Sequence, residues 1–212
     1  MRRIGILVFS TVAIALAGLI PGPREVQGED LCKIAVENAR AKYAKARTIY
    51  TTFEGSFAPI GGERHPLSGS MAYRSPDAFR HDLVMGDRTY VTRQIGDLLQ
   101  KWTEQGTTKS RFTERKETGP VEPQFPPAFE SFNEESFELL KKTHEKDAPA
   151  IYVVQAKFKG SGDPFASARM GIEDGSWLIR TLDLVDHEGN EVMTLRFKEI
   201  KLGHALPAGC FE

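Results

Sequence analysis

The sequence predicts a mostly-β domain of the α+β class, built on an antiparallel sheet with one apolar face. Three observations predict it. Apolar and polar residues alternate with a period of two through most of residues 51–116 and 151–202, as half-buried strands require. Turn-forming residues punctuate that alternation at Gly61-Gly62, Ser75-Pro76-Asp77, Gly96-Asp97 and Asp186-His187-Glu188-Gly189-Asn190. Helical periodicity, by contrast, is confined to two stretches.

The chain starts Met1-Arg2-Arg3, continues with an uncharged run from Ile4 to Ile20, and is broken by Pro21-Gly22-Pro23. That is the order of parts in a secretory signal peptide. Val26-Gln27-Gly28 places cleavage after Gly28, so residues 29–212 are expected to form one exported domain. The leader removes three basic side chains (Arg2, Arg3, Arg24) and one acidic (Glu25), taking the formal charge from −1 to −3. Such a balance gives no electrostatic reason to expect nucleic acid as a partner. In an oxidising compartment Cys32 and Cys210, one near each end, are expected to pair. A bridge closing so long a loop is worth roughly 4–5 kcal/mol in the chain-entropy model.

The first helix is expected from Asp30, as cap, to about Ile49, with Leu31, Ile34, Ala35, Ala39, Tyr43 and Ala46 at near-helical spacing. Three strands follow, carrying Thr51, Phe53, Gly55, Phe57; then Leu67, Gly69, Met71, Tyr73; then Phe79, His81, Leu83, Met85. RTYVTRQI and LLQKWTEQ form a hairpin through Gly96-Asp97, and a strand at Lys109–Lys116 completes this half. Pro120, Pro123, Pro126 and Pro127 then break the alternation. Asn133 is placed to cap a second helix, EESFELLKK, whose acids come first and lysines last. Strands resume at Ile151–Phe158, Ala168–Glu173, Trp177–Val185 and Val192–Leu202.

Reactive chemistry is sparse. His65, His81, His144, His187 and His204 show no metal-ligand spacing, and no nucleophile elbow occurs. Gly160-Ser161-Gly162-Asp163-Pro164 lacks the lysine of a phosphate loop and reads as a turn. No catalytic residues, metal or cofactor are expected, and the protein is read as a non-enzyme.

The uneven feature is the aromatic set, with 13 Phe against 5 Tyr and 2 Trp. Strand parity groups Phe53, Phe57, Met71, Tyr73, Phe79, Leu83, Trp102 and Phe112 on the lining of an apolar cavity that two helices are too few to cover. Phe125, Phe129 and Phe132, at i, i+4, i+7 in the proline-rich stretch, are read as its lid. A cavity of this kind suits acyl chains, each buried methylene contributing roughly 0.8 kcal/mol.

Several segments carry a resemblance: the helix running into IYTTFEGSF, then SGSMAYRSPDAFRHD, the hairpin RTYVTRQIGDLLQKW, and the closing IRTLDLVDHEGNEVMTLRFKEIKLGHALPAGCF. Together with the leader they resemble, in order, the periplasmic lipoprotein carriers (LolA-like proteins). The resemblance implies an open, strongly curved antiparallel half-barrel with helices covering the concave face. It implies a monomeric periplasmic carrier of lipoprotein acyl chains or other lipids, moving them towards the outer membrane between inner- and outer-membrane lipoprotein-handling proteins. It equally accommodates an envelope sensor or scaffold of the same fold that binds a protein partner. The family's latching arginine precedes the proline that opens the third strand. Ser75 stands there, so Arg74 and Arg80 are the nearest candidates for a latch.

Overall fold

The computed structural model describes residues 28–59, 62–116, 129–160 and 164–212; of the expected leader, residues 1–27 lie outside them. A helix, α1 (Gly28–Ala44), leads into β1 (Thr48–Phe57), β2 (His65–Arg74), β3 (Ala78–Met85), β4 (Arg88–Ile95), β5 (Leu98–Gln105) and β6 (Thr108–Lys116). After two short 3-10 turns come β7 (Glu138–Thr143), β8 (Ile151–Lys157), β9 (Ser167–Glu173), β10 (Ile179–Val185) and β11 (Glu191–Leu202). One sheet holds all eleven strands in the order β6-β5-β4-β3-β2-β1-β11-β10-β9-β8-β7. Every pairing is antiparallel, and the two runs of neighbouring strands meet where β1 pairs with β11. No pairing joins β6 to β7 among the described residues, so the sheet is open.

Tight turns set the registers. Gly86, Gly96 and Gly106 open the loops after β3, β4 and β5 with φ of 61°, 56° and 58°, where a side chain would strain the backbone. The strand ends therefore face each other as Met85↔Arg88, Ile95↔Leu98 and Gln105↔Thr108. The loop after β10 is held differently, by the Asp186 carboxylate, which accepts from the backbone N–H groups of Glu188 (2.9 Å) and Asn190 (2.8 Å).

α1 stops at Ala44, short of the expected Ile49, because Ile49 and Thr51 are buried strand residues of β1. Its buried stripe is Cys32, Ala35, Val36, Ala39 and Tyr43, which lies against β7, β8 and β9. The alanines permit close approach, and the Tyr43 hydroxyl accepts a hydrogen bond from the Ile179 N–H at 3.1 Å. We call the face that bears this helix and the core cluster the inner face.

The second expected helix is not formed. Asn133 does cap a turn, accepting from the Glu135 N–H at 3.2 Å, but the turn ends at Ser136 and Glu138–Thr143 becomes β7. The same residues carry a strand alternation: Phe137 and Leu139 pack on the core while Leu140 is exposed. Pairing with β8, Leu139 opposite Val154, gives that alternation a partner which an isolated nine-residue helix would lack.

The expected disulfide is not formed either; both cysteines are free. Cys32 is buried in the inner-face core. Cys210 lies on the opposite, outer face, beside Tyr50, Ser70, Ala72, Arg80 and Asp82. Residues 204–212 run over that outer face, where the Thr48 hydroxyl donates to the His204 carbonyl (2.8 Å) and Arg93 donates to the Phe211 carbonyl (2.9 Å). The sheet itself separates the two thiols.

Candidate functional site

An apolar cavity of about 300 Å³ opens on the inner face, lined by Phe53, Met71, Phe79, His81, Leu83, Phe158, Phe165, Leu182, Leu184, Met193 and Leu195. Its walls come from β1, β2, β3, β10 and β11, and from the chain on either side of the β8–β9 connection. Adjacent strands lie about 4.8 Å apart, so a flat sheet would hold β3 and the end of β8 about 29 Å apart. Leu83 and Phe158 nevertheless share one cavity. The sheet therefore bends towards its inner face.

Glycine makes part of the space. A Cβ on Gly69 would stand 2.6 Å from Phe53 Cζ and 2.1 Å from the Asp82 carbonyl oxygen, so the Phe53 ring occupies the place of the missing side chain. The ring then meets Phe197 edge-on at 6.1 Å and His81 at 5.7 Å. On the far wall Phe158 stacks at a tilt on Phe132, 4.8 Å between ring centres.

Of the expected lining, the structure brings Phe53, Met71, Phe79 and Leu83 together at the cavity. Phe57 and Tyr73 share the inner face but pack into the core beside it. Trp102 and Phe112 are on the other side. The registers place Trp102 opposite Val91 and Val91 opposite Asp82, which belongs to the outer row. Trp102 is only 5% exposed there, because Arg93 and Lys109 lie over its ring at 5.4 and 4.9 Å and its N–H bonds Glu104 at 2.7 Å. Phe112, 6.3 Å from Trp102, is 57% exposed.

Phe129 and Phe132, expected in the lid, are buried members of the inner-face core, and Phe125 lies outside the described residues. Neither candidate latch faces them. Arg74 forms two hydrogen bonds with Asp77 (2.9 and 3.1 Å) and covers the Phe211 ring, while Arg80 pairs with Asp82 and donates to the Glu212 carbonyl, all on the outer face. The cation that does touch the Phe129 segment is Arg40 of α1, 3.2 Å from the Glu134 carboxylate and 5.7 Å from the centre of the Phe129 ring. Its signal in the sequence is a charge set in an apolar stripe, four residues after Val36 and three before Tyr43.

His81 is the other residue that sequence reasoning passed over. It stands between Leu83 and Phe79 in the inner row of β3 and, among the described residues, is the one ionisable side chain in the cavity lining. Burial pushes its imidazole below the ordinary histidine range, opposed in part by the Asp82 carboxylate. No cluster of three or more metal-ligating side chains occurs among the described residues, and no described helix is long and apolar enough to cross a membrane.

No family model matches the chain, and no curated protein matches its sequence. Solved structures do match. An uncharacterized conserved protein from Thermus thermophilus aligns at 14% identity over 86% of this chain and 91% of that one, with a TM-score of 0.51. The MucA/MucB complex of Pseudomonas aeruginosa aligns at 12% identity over 85% of this chain and 60% of that one, with a TM-score of 0.47. A putative outer membrane lipoprotein-sorting protein domain from Vibrio parahaemolyticus aligns at 10% identity over 84% and 94%, with a TM-score of 0.44. At these identities the likeness extends to the fold alone, the one shared with the Thermus thermophilus protein.

Proposed function

We propose that the inner-face cavity binds an acyl chain and that the protein is a non-enzymatic periplasmic carrier of lipid or lipoprotein acyl chains. The observation that carries this reading is the lining: among the described residues, ten apolar side chains and one imidazole around about 300 Å³. That volume stands at the lower end of the roughly 300–1,000 Å³ typical of small-molecule sites, which favours one chain over several. Burying a dozen methylenes would bring on the order of 10 kcal/mol before the costs of ordering and immobilisation. In this reading α1 and the segment through Phe132 cover the concave side, with Arg40 as the tie between them. Passage of cargo towards the outer membrane is the role that such a cavity would serve.

The test is uptake of a fluorescent fatty acid by the purified mature protein, with native mass spectrometry of protein taken from its own envelope fraction. Leu83→Trp, which fills the cavity, is expected to abolish uptake and co-purifying acyl species, while Phe112→Ser leaves both unchanged. Equal uptake by the wild type and Leu83→Trp would overturn the assignment.

A protein-binding sensor or scaffold is the second reading, favoured by the exposed Phe112 ring beside Trp102 on the outer face. It predicts the opposite pattern: no acyl species in the wild type, and loss of a co-purifying protein on Phe112→Ser.

A further inference from the structure

We propose that His81 is the polar contact of the cavity and hydrogen-bonds the carbonyl end of a single acyl chain, so that the occupant is a fatty acid or fatty ester seated with its head inward. The inference rests on the acyl-binding reading above and goes beyond it, from an apolar site to the chemical class of what fills it.

Its ground is a mismatch between residue type and surroundings. A side chain needed only to fill this row of β3 would be apolar, as Phe79 and Leu83 are on either side. An imidazole instead brings one N–H donor and one acceptor nitrogen when neutral. Leaving both unmatched in an apolar site opposes folding. Among the described residues neither nitrogen is hydrogen-bonded by a protein group, the ring's neighbours being Phe53 at 5.7 Å and Phe79 at 6.5 Å. The nitrogens are not sealed in, since Arg40 Nε is the buried side-chain nitrogen left without a partner in that set. They are therefore accessible, on a side chain that lines the cavity.

Among the described residues no charged group of the lining competes for them. Across the strands His81 faces Met71 of β2 and Thr92 of β4, and the rest of the lining, from β1, β10, β11 and the β8–β9 connection, is Phe, Leu and Met. Asp82 is next in the chain but on the outer row, where it is engaged with Arg80 at 2.9 Å. The neutral ring, favoured by burial, complements a carbonyl oxygen through its N–H and an acid hydroxyl through its acceptor nitrogen. A carboxylate entering from water therefore takes up one proton from solvent, shared between head and ring; an ester takes up none. A hydrocarbon satisfies neither nitrogen and leaves the ring as it was.

Dodecanoic acid, methyl dodecanoate and dodecane, each displacing a fluorescent dye from the mature protein, test the assignment. The wild type is expected to prefer the acid or the ester over dodecane by about tenfold, the scale of one net hydrogen bond. His81→Leu is expected to lose that preference while still binding dodecane, and His81→Gln to keep part of it. The leucine variant should melt no lower than the wild type, since it removes a partnerless polar group. Calorimetry in buffers of different ionisation enthalpy distinguishes the sources: one proton taken up with the acid and weaker binding of the ester identify a free fatty acid. Equally tight ester binding without proton uptake identifies an acylated lipid. If His81→Leu keeps the wild-type preference, the His81 assignment fails and the cavity assignment stands. If the wild type binds none of the three, both fail.

Discussion

The two faces of the sheet hold their aromatic side chains by different means. On the inner face Phe53, Phe197, Phe132 and Phe158 pack ring against ring and aliphatic chain, and the space they leave unfilled is the cavity. On the outer face Trp102 is sheltered as completely as Phe53, at 5% and 4% exposure, but its cover is Arg93, Lys109 and Phe112. Cationic stems lying over a ring exclude water without requiring a second layer of structure. The difference teaches that burial of an aromatic residue does not by itself identify a core. What identifies the inner face is apolar neighbours on several strands at once.

The largest effect expected from this contrast is on stability. Phe132 is fully buried among Phe137 and Phe158, so Phe132→Ala should cost about 3–5 kcal/mol. Phe112→Ala, at a ring more than half exposed, should stay within about 0.5 kcal/mol of the wild type. Urea titrations of both variants decide it; equal losses would show that the outer face has a core of its own. A smaller effect is expected at Gly69, where a new Cβ meets backbone as well as ring. Gly69→Ala should cost about 1–3 kcal/mol, and Phe53→Leu on the same chain should return part of it. Ser70→Ala, one residue along and on the outer row, should be near neutral. A neutral Gly69→Ala would mean that the Phe53 ring and the β3 backbone at Asp82 are both free to move away, and with them one wall of the cavity.

How far these features were legible varies by residue. Ten of the eleven strands were legible, because period-two alternation and turn residues are local signals. β7 was not, since a capping asparagine followed by acids and then lysines is equally good helix chemistry, and only the β8 partner decides between them. The cavity residues of β1 to β3 were legible by parity. Trp102 was misassigned because parity alone fixes alternation and not the side. The deciding information was nonetheless in the sequence: two-residue loops at Gly86-Asp87 and Gly96-Asp97 fix both registers, and carrying them through puts Trp102 in the row of Asp82. The separation of Cys32 from Cys210 was not legible, because it depends on which face residues 204–212 cross.

The smallest effect expected is on the pH dependence of stability, where the two faces should respond in separate windows. Burial of His81 lowers its pKa in the folded chain, with Asp82 opposing, so folding disfavours its protonation. Its contribution is complete above the unfolded histidine value of about 6.5 and is lost as pH falls from there towards the lower folded value. On the outer face the hydrogen bond from Arg74, and behind it that residue's charge, hold the Asp77 carboxyl below the usual carboxylate range. That contribution is present above about 3.9, the unfolded aspartate value, and is lost as pH falls through the lowered one. The Arg74–Asp77 pair is half exposed, at 49% and 51%, so added salt should screen most of its effect. Urea midpoints measured from pH 8 to pH 3 should show His81→Leu flattening the slope that begins near 6.5, whereas Asp77→Asn changes only the acid end. Should His81→Leu keep the wild-type slope, the imidazole would be charging as readily folded as unfolded, and an apolar environment around it would no longer be tenable.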